Sequence, residues 1–149
     1  MAMSLTSDIR KTREGSFGWM LQRLARRVEA RLAEKLRALD LSILQFAIMM
    51  TVLERPAQTQ AAIGQGFDVP AYAISRALDG LEARGLVERR MAAASRRSFE
   101  VHVTAAGQAL APQLRAIVQE VNTGVTQGLT AAETDHLLGL MARLLADTE

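Results

Sequence analysis

Only one part of this 149-residue chain departs from helical spacing. From Phe99 to Thr104 apolar and polar residues alternate strictly, the period of a strand with one covered face. Leu86-Val-Glu-Arg-Arg90 comes before it, and Met91 to Ser98 lies between the two runs. Together they predict a β-hairpin inside a mainly α chain. The tip, Ala92-Ala-Ala-Ser-Arg-Arg97, contains no Gly, Pro, Asn or Asp, so a longer mobile loop is expected instead of a tight primed turn.

The helices can be placed by their stripes and caps. Between Gly15 and Leu39, apolar residues at Phe17, Met20, Leu21, Leu24, Val28, Leu32, Leu36 and Leu39 follow a three-four spacing. Arg23, Arg26, Arg27, Arg31 and Lys35 lie off that stripe, either as a phosphate-binding face or as the solvated side of an amphipathic helix, and the spacing favours the latter. Ser42 and Gln45 form a capping box for a helix that ends before Pro56, with Ile43, Phe46, Met50 and Leu53 on one face. Thr59 is the N-cap of a short helix weakened by Gly64 and Gly66, which Ile63 and Phe67 must hold by packing. Pro70 suits the first turn of the next helix, Ile74, Ala77, Leu78 and Leu81 form its stripe, and Gly85 ends it. A helix, a short turn and a second helix therefore precede the hairpin.

After the hairpin, Thr104 caps a helix carrying Leu110, Leu114, Ile117, Val121 and Val125, in which Pro112 should produce a kink or a restart. Thr130 and Glu133 form a complete capping box for a last helix with Leu137, Leu138, Met141, Leu144 and Leu145 on one side. The first helix and the last two carry more apolar surface than a small three-helix module can cover, so a second subunit is expected over part of it.

The length suits one domain, and 49% hydrophobic with 23% charged residues is an ordinary globular balance. With no cysteine there are no disulfides, thiolate metal sites or iron-sulfur clusters, and nothing conflicts with a reducing compartment. No run of some 18 uncharged apolar residues is present, and Met1 to Arg13 has no apolar h-region. A cytoplasmic protein without a membrane span is expected. The pI of about 9.7 suggests a nucleic-acid binder, but the net charge is only +2, so distribution matters more than the total. The segment from Ala105 onward is acidic. Arg84, Arg89, Arg90, Arg96 and Arg97, by contrast, face only Glu88 over fourteen residues.

No enzyme constellation emerges. His102 and His136 stand apart with no cysteine and no H-E-x-x-H, so no metal site is expected. Gly64-Gln-Gly66 lacks a third glycine and lies in a helix, unlike a dinucleotide loop. There is no G-x-S-x-G and no P-loop, so no catalytic residue and no cofactor is assigned. The seven methionines read as core filler.

Along nearly its whole length the chain resembles the MarR family of winged helix-turn-helix transcriptional regulators. The matching residues are Leu41-Ser42 with Gln45-Phe46, Thr59-Gln-Ala with Ile63, Ile74-Ser-Arg76 with Leu81-Glu82, Gly85-Leu-Val-Glu-Arg89, and Val103-Thr104 with Ala106-Gly107. The resemblance implies a single domain over residues 1–149. In it, a winged helix-turn-helix at about 41–104 is flanked by dimerisation helices at about 15–39 and 105–148. It also implies a homodimer on a pseudo-palindromic operator in double-stranded DNA, acting as a repressor released by a small aromatic or phenolic effector. The chain departs from the family at Ala92 to Ser95, where family wings carry acidic residues ahead of the paired arginines, so an internal Asp-Arg tether is not expected.

A cationic hairpin tip beside a helix neutralises phosphates and seats the helix in a groove, which makes Arg96 and Arg97 the candidate wing contacts. On the recognition helix, Ser75 and Arg76 follow the family match. Tyr72 offers a ring for a thymine methyl or a hydroxyl for a phosphate, and Ala71 opens the same helix. Tyr72 has core packing as its alternative role, and Arg76 a pairing with Asp79 or Glu82. Trp19, Arg23, Phe46 and Met50 are the candidate effector residues, with core packing the competing role of Phe46 and Met50. The alanine-rich start of the recognition helix leaves open a second function, a winged-helix dimer that binds proteins and has no sequence-specific DNA binding.

Overall fold

The computed structural model describes residues 2–92 and 95–146, with side chains from 6 to 92 and from 98 to 146. The elements are α1 (Ala2–Glu14), α2 (Phe17–Leu36), a 3-10 turn (Arg37–Leu39), α3 (Ile43–Glu54), β1 (Gln58–Thr59), α4 (Gln60–Gln65), α5 (Ala71–Ala83), β2 (Val87–Ala92), β3 (Ser95–Val103), α6 (Ala105–Thr126) and α7 (Ala131–Ala146). They divide into two compact units, residues 32–118 and residues 1–31 with 119–149.

Within residues 32–118 the local signals act as expected. Ser42 Oγ accepts from the Gln45 N–H at 3.1 Å, while Gln45 Oε1 accepts from the Ser42 N–H at 3.0 Å, closing the capping box of α3. Thr59 Oγ1 accepts from the Ala62 N–H at 3.2 Å at the start of α4. Pro70, which has no N–H to leave unsatisfied, is the N-cap of α5. At the other end Gly85 takes a φ of +68°, a conformation that costs other residues ~1 to 2 kcal/mol. This lets the Gly85 N–H donate to Glu82 O and the Leu86 N–H donate to Leu81 O, a Schellman cap over buried Leu81 and Leu86. The chain thus leaves α5 and passes directly into the sheet.

That sheet has three antiparallel strands in the order β1-β3-β2. Val87 faces Val103, Arg89 faces Val101 and Met91 faces Phe99 across β2 and β3, while Gln58 and Thr59 pair with Val101 and Glu100. Val87 and Val101 point into a core built with Ile48, Met49, Ile63, Ile74, Leu78 and Leu81. Thr104 ties the sheet to α6. Its Oγ1 donates to the carbonyl of Gly85 and accepts from the Gly107 N–H. Gly107 lies so close that an added Cβ would sit 2.1 Å from Leu86 O.

Several expectations change. The wing is not a hairpin alone, because two residues after Pro56 add a third strand, reached through Ala57 at a φ of +61°. The long tip loop expected over Met91 to Ser98 is shortened, since β2 runs to Ala92 and β3 starts at Ser95, with Ala92 opposite Ser95 beyond a register shift. β-sheet pairing overrode the missing turn residues there. Residues 2–14, read from the sequence only as lacking an apolar h-region, form a helix of their own. Residues 37–39 tighten into a 3-10 turn instead of continuing α2, and Asp40 closes that turn at a φ of 50°. Gly66 caps α4 from outside it. Of the kink or restart expected at Pro112, the restart does not occur, because α6 continues through it as one helix.

In the second unit, Arg31 covers Gly124, where an added Cβ would meet its guanidinium at 1.9 Å, and Arg13 stands 5.2 Å from the centre of the Trp19 ring. Thr130 and Glu133 complete the expected capping box of α7. Among the described residues α7 has no buried side chain, and Leu138 and Leu145 are 59% and 71% exposed. Ile9, Phe17, Trp19 and Met20 are also exposed. Among the described residues no single helix is long and apolar enough to cross a membrane.

Candidate nucleic-acid interface

Helix α4, the turn at 66–70 and α5 form a helix-turn-helix, and β2 and β3 form the wing beside it. α5 is held on its inner face by Ile74, Ala77, Leu78 and Leu81, the three-four stripe read from the sequence, so the residues between them face outward. Tyr72 is 67% exposed, Ala71 and Arg76 are exposed, and Ser75 is half-buried. Exposed Tyr72 does not take the alternative core role. The fold brings these four together on one short segment, 71–76. Arg96 and Arg97 belong to the start of β3, and their side chains lie outside the described residues.

The arginine cluster splits into different jobs. Arg84 donates from Nη1 to Asp40 O at 2.6 Å and from Nη2 to Leu39 O at 2.8 Å, covering carbonyls left by the 3-10 turn. Arg89 binds Glu82 through its backbone N–H at 2.9 Å, its Nε at 3.0 Å and its Nη2 at 2.7 Å, and Nη2 also reaches Asp79. Arg90 pairs with Glu88. The pairing of Arg76 with Asp79 or Glu82 is therefore corrected: Arg89 takes both carboxylates, because strand alternation puts it on the same side as buried Val87, facing α5. Arg76 makes no hydrogen bond or ion pair among the described residues. Sequence reasoning missed the role of Arg89. The signal was present in two acids three residues apart on one helical face, followed by an arginine at an inward strand position.

The charge effects follow from these contacts. The Glu82 carboxyl is held below its ordinary value, chiefly by the side-chain hydrogen bonds from Arg89 and then by its backbone N–H, while the Arg89 guanidinium is pushed up by Glu82 and Asp79. With the acids of α5 occupied, Arg76 remains as a cation on an outward face that carries no competing free carboxylate in segment 71–76.

Of the candidate effector residues, Trp19 and Arg23 are exposed on α2 in the unit of residues 1–31 and 119–149. Phe46 is buried and Met50 half-buried on α3 in the other unit. A groove of about 660 Å³ lies beside the start of α5, lined by Thr59, Gln60, Gly64, Val69, Ile74 and Phe99 among others, with no charged side chain among the described residues. His102 Nε2 is 3.3 Å from Glu100 Oε2, and no group of three or more metal-ligating side chains occurs among the described residues.

Three helices and a wing in this order define a winged helix-turn-helix protein. The MarR family description matches residues 39–98. The wild-type apo form of MarR from E. coli is similar over 87% of this chain and 96% of that one, at 27% identity and a TM-score of 0.80. A MarR-family transcriptional regulator from Silicibacter pomeroyi is similar over 92% of each chain, at 28% identity and a TM-score of 0.76. A mutant MarR from E. coli, solved in complex with operator DNA, is similar over 90% of this chain and 96% of that one, at 26% identity and a TM-score of 0.77. The chain is similar to the MarR family over residues 39–98 and shares the fold of the MarR transcriptional regulators it matches.

Proposed function

We propose that the chain is a cytoplasmic, DNA-binding transcriptional repressor, which binds a pseudo-palindromic operator as a homodimer and responds to a small aromatic or phenolic effector. The observation that carries this reading is the outward face of α5, where Tyr72, Ser75 and Arg76 stand together while Arg89 occupies the acids that would oppose a phosphate. Likeness to a relative solved with operator DNA supports it. A second copy of this chain is the partner, because α7 and the exposed residues of α1 and α2 leave apolar surface that a folded monomer keeps in water. Trp19 and Arg23 are the exposed candidates for contact with the effector.

The test is a salt series on duplexes recovered from a random pool. A dimer contacting six to ten phosphates loses ~10³ to 10⁵ in affinity between 50 and 200 mM salt. A flat series, or no enriched sequence, would point to the alternative, a winged-helix dimer that binds proteins.

A further inference from the structure

The geometry points to Arg89 as a positioning residue that sets the wing tip relative to the recognition helix, an inference that rests on the DNA-binding reading. The Arg89 side chain is 22% exposed and, among the described residues, binds only the α5 acids, so it is not itself placed as a phosphate contact. Its backbone and side chain both bind Glu82, which fixes the strand and the guanidinium together. The next pair on the same strand face, Met91 and Phe99, is exposed, so cover from the body thins beyond the level of Arg89 and Val101, although Ala92 is buried. Arg97 lies four residues beyond Val101, about 13 Å of strand. A rotation of 10° at the clamp would move the tip by ~2 Å, enough to break a hydrogen bond to a phosphate.

A double-mutant cycle tests this on the recovered duplex, with Arg96→Ala/Arg97→Ala as one arm and Glu82→Gln as the other. Glu82→Gln removes a negative charge, so electrostatics alone would tighten binding. Positioning instead predicts that the tip substitutions cost at least tenfold less affinity in the Glu82→Gln protein than in the wild type. Strict additivity, within about twofold as for independent sites, overturns the inference. Arg89→Lys keeps the charge and loses the fork, so it should also lose the coupling, and retained coupling is a contrary result. Amide exchange on the free protein gives a readout that needs no DNA. Exchange at Met91, Ala92 and Ser98 to Glu100 should accelerate at least tenfold in Glu82→Gln while α3 is unchanged. If the wild type binds no duplex, the functional proposal fails, and this exchange result alone decides whether the clamp orders the wing; equal rates overturn it.

Discussion

Arg89 and Glu82 share three hydrogen bonds, one from the backbone N–H of Arg89 and two from its guanidinium. They join strand β2 to the last turn of helix α5, and Asp79 adds a second carboxylate to the same guanidinium. The bonds favour ionised Glu82 in the folded chain, so its carboxyl titrates below the ordinary value of ~4.3. A carboxyl depressed on folding contributes stability above its unfolded pKa, and that contribution is lost as pH falls through the folded value. Glu82 is 38% exposed, so solvent screening limits the size of the effect. The wild type should therefore be more stable than Glu82→Gln at neutral pH, and the gap should close as pH drops below ~4.3. Urea unfolding of both proteins from pH 7 to pH 3 measures this, and a gap independent of pH would contradict it.

Gly107 and Gly85 predict different failures. A Cβ at Gly107 would meet the Leu86 carbonyl, which is backbone and cannot rotate away, so Gly107→Ala should cost ~1 to 3 kcal/mol as an overpacked contact. At Gly85 nothing lies within 4 Å of an added Cβ, and the penalty of Gly85→Ala is the positive φ, ~1 to 2 kcal/mol. Thermal unfolding separates them when a larger residue is introduced. Gly107→Val should be worse than Gly107→Ala, while Gly85→Asn should recover part of the loss, because Asn tolerates the left-handed region.

The caps, stripes and Gly85 reversal were legible because each depends on residues within a few positions of one another. The Ser42–Gln45 and Thr130–Glu133 boxes are both present as read. β1 was not legible, since two residues carry no periodicity and their strand character comes from pairing with Val101 and Glu100, some forty residues away. The wing's extension to Ala92 and Ser95 escaped for the same reason. In the candidate interface, the outward position of Arg76 fits the α5 stripe, whereas for Tyr72 the sequence left a core role open and its 67% exposure decides against it. The fate of the arginine cluster did not, because counting charge along the chain cannot separate Arg84 and Arg89, which hold the fold, from cations facing outward.

Arg76 and Arg96 should fail in distinguishable ways on DNA. Arg96→Ala should weaken binding to all duplexes alike and lower the salt slope by ~1, the behaviour of a phosphate contact. Arg76→Ala or Tyr72→Ala should instead change the ranking among operator variants, by ~1 to 3 kcal/mol at the base pair each one reads. Competition binding against a panel of single-base variants makes the comparison. An unchanged ranking for both α5 variants would remove the readout assignment.

Leu145 and Leu138 of α7 provide the test of the dimer. Both are exposed within the chain, so Leu145→Glu with Leu138→Glu removes nothing from its interior and should leave the fold of residues 32–118 intact by circular dichroism. If α7 meets a second copy, burying two carboxylates there is costly unless they are paired, and sedimentation velocity should show a monomer where the wild type is a dimer. Operator affinity should fall with it, because two half-sites ~34 Å apart are then no longer joined by one molecule. A variant that stays dimeric would move the interface away from α7, and a monomer that keeps full operator affinity would remove the need for paired winged modules.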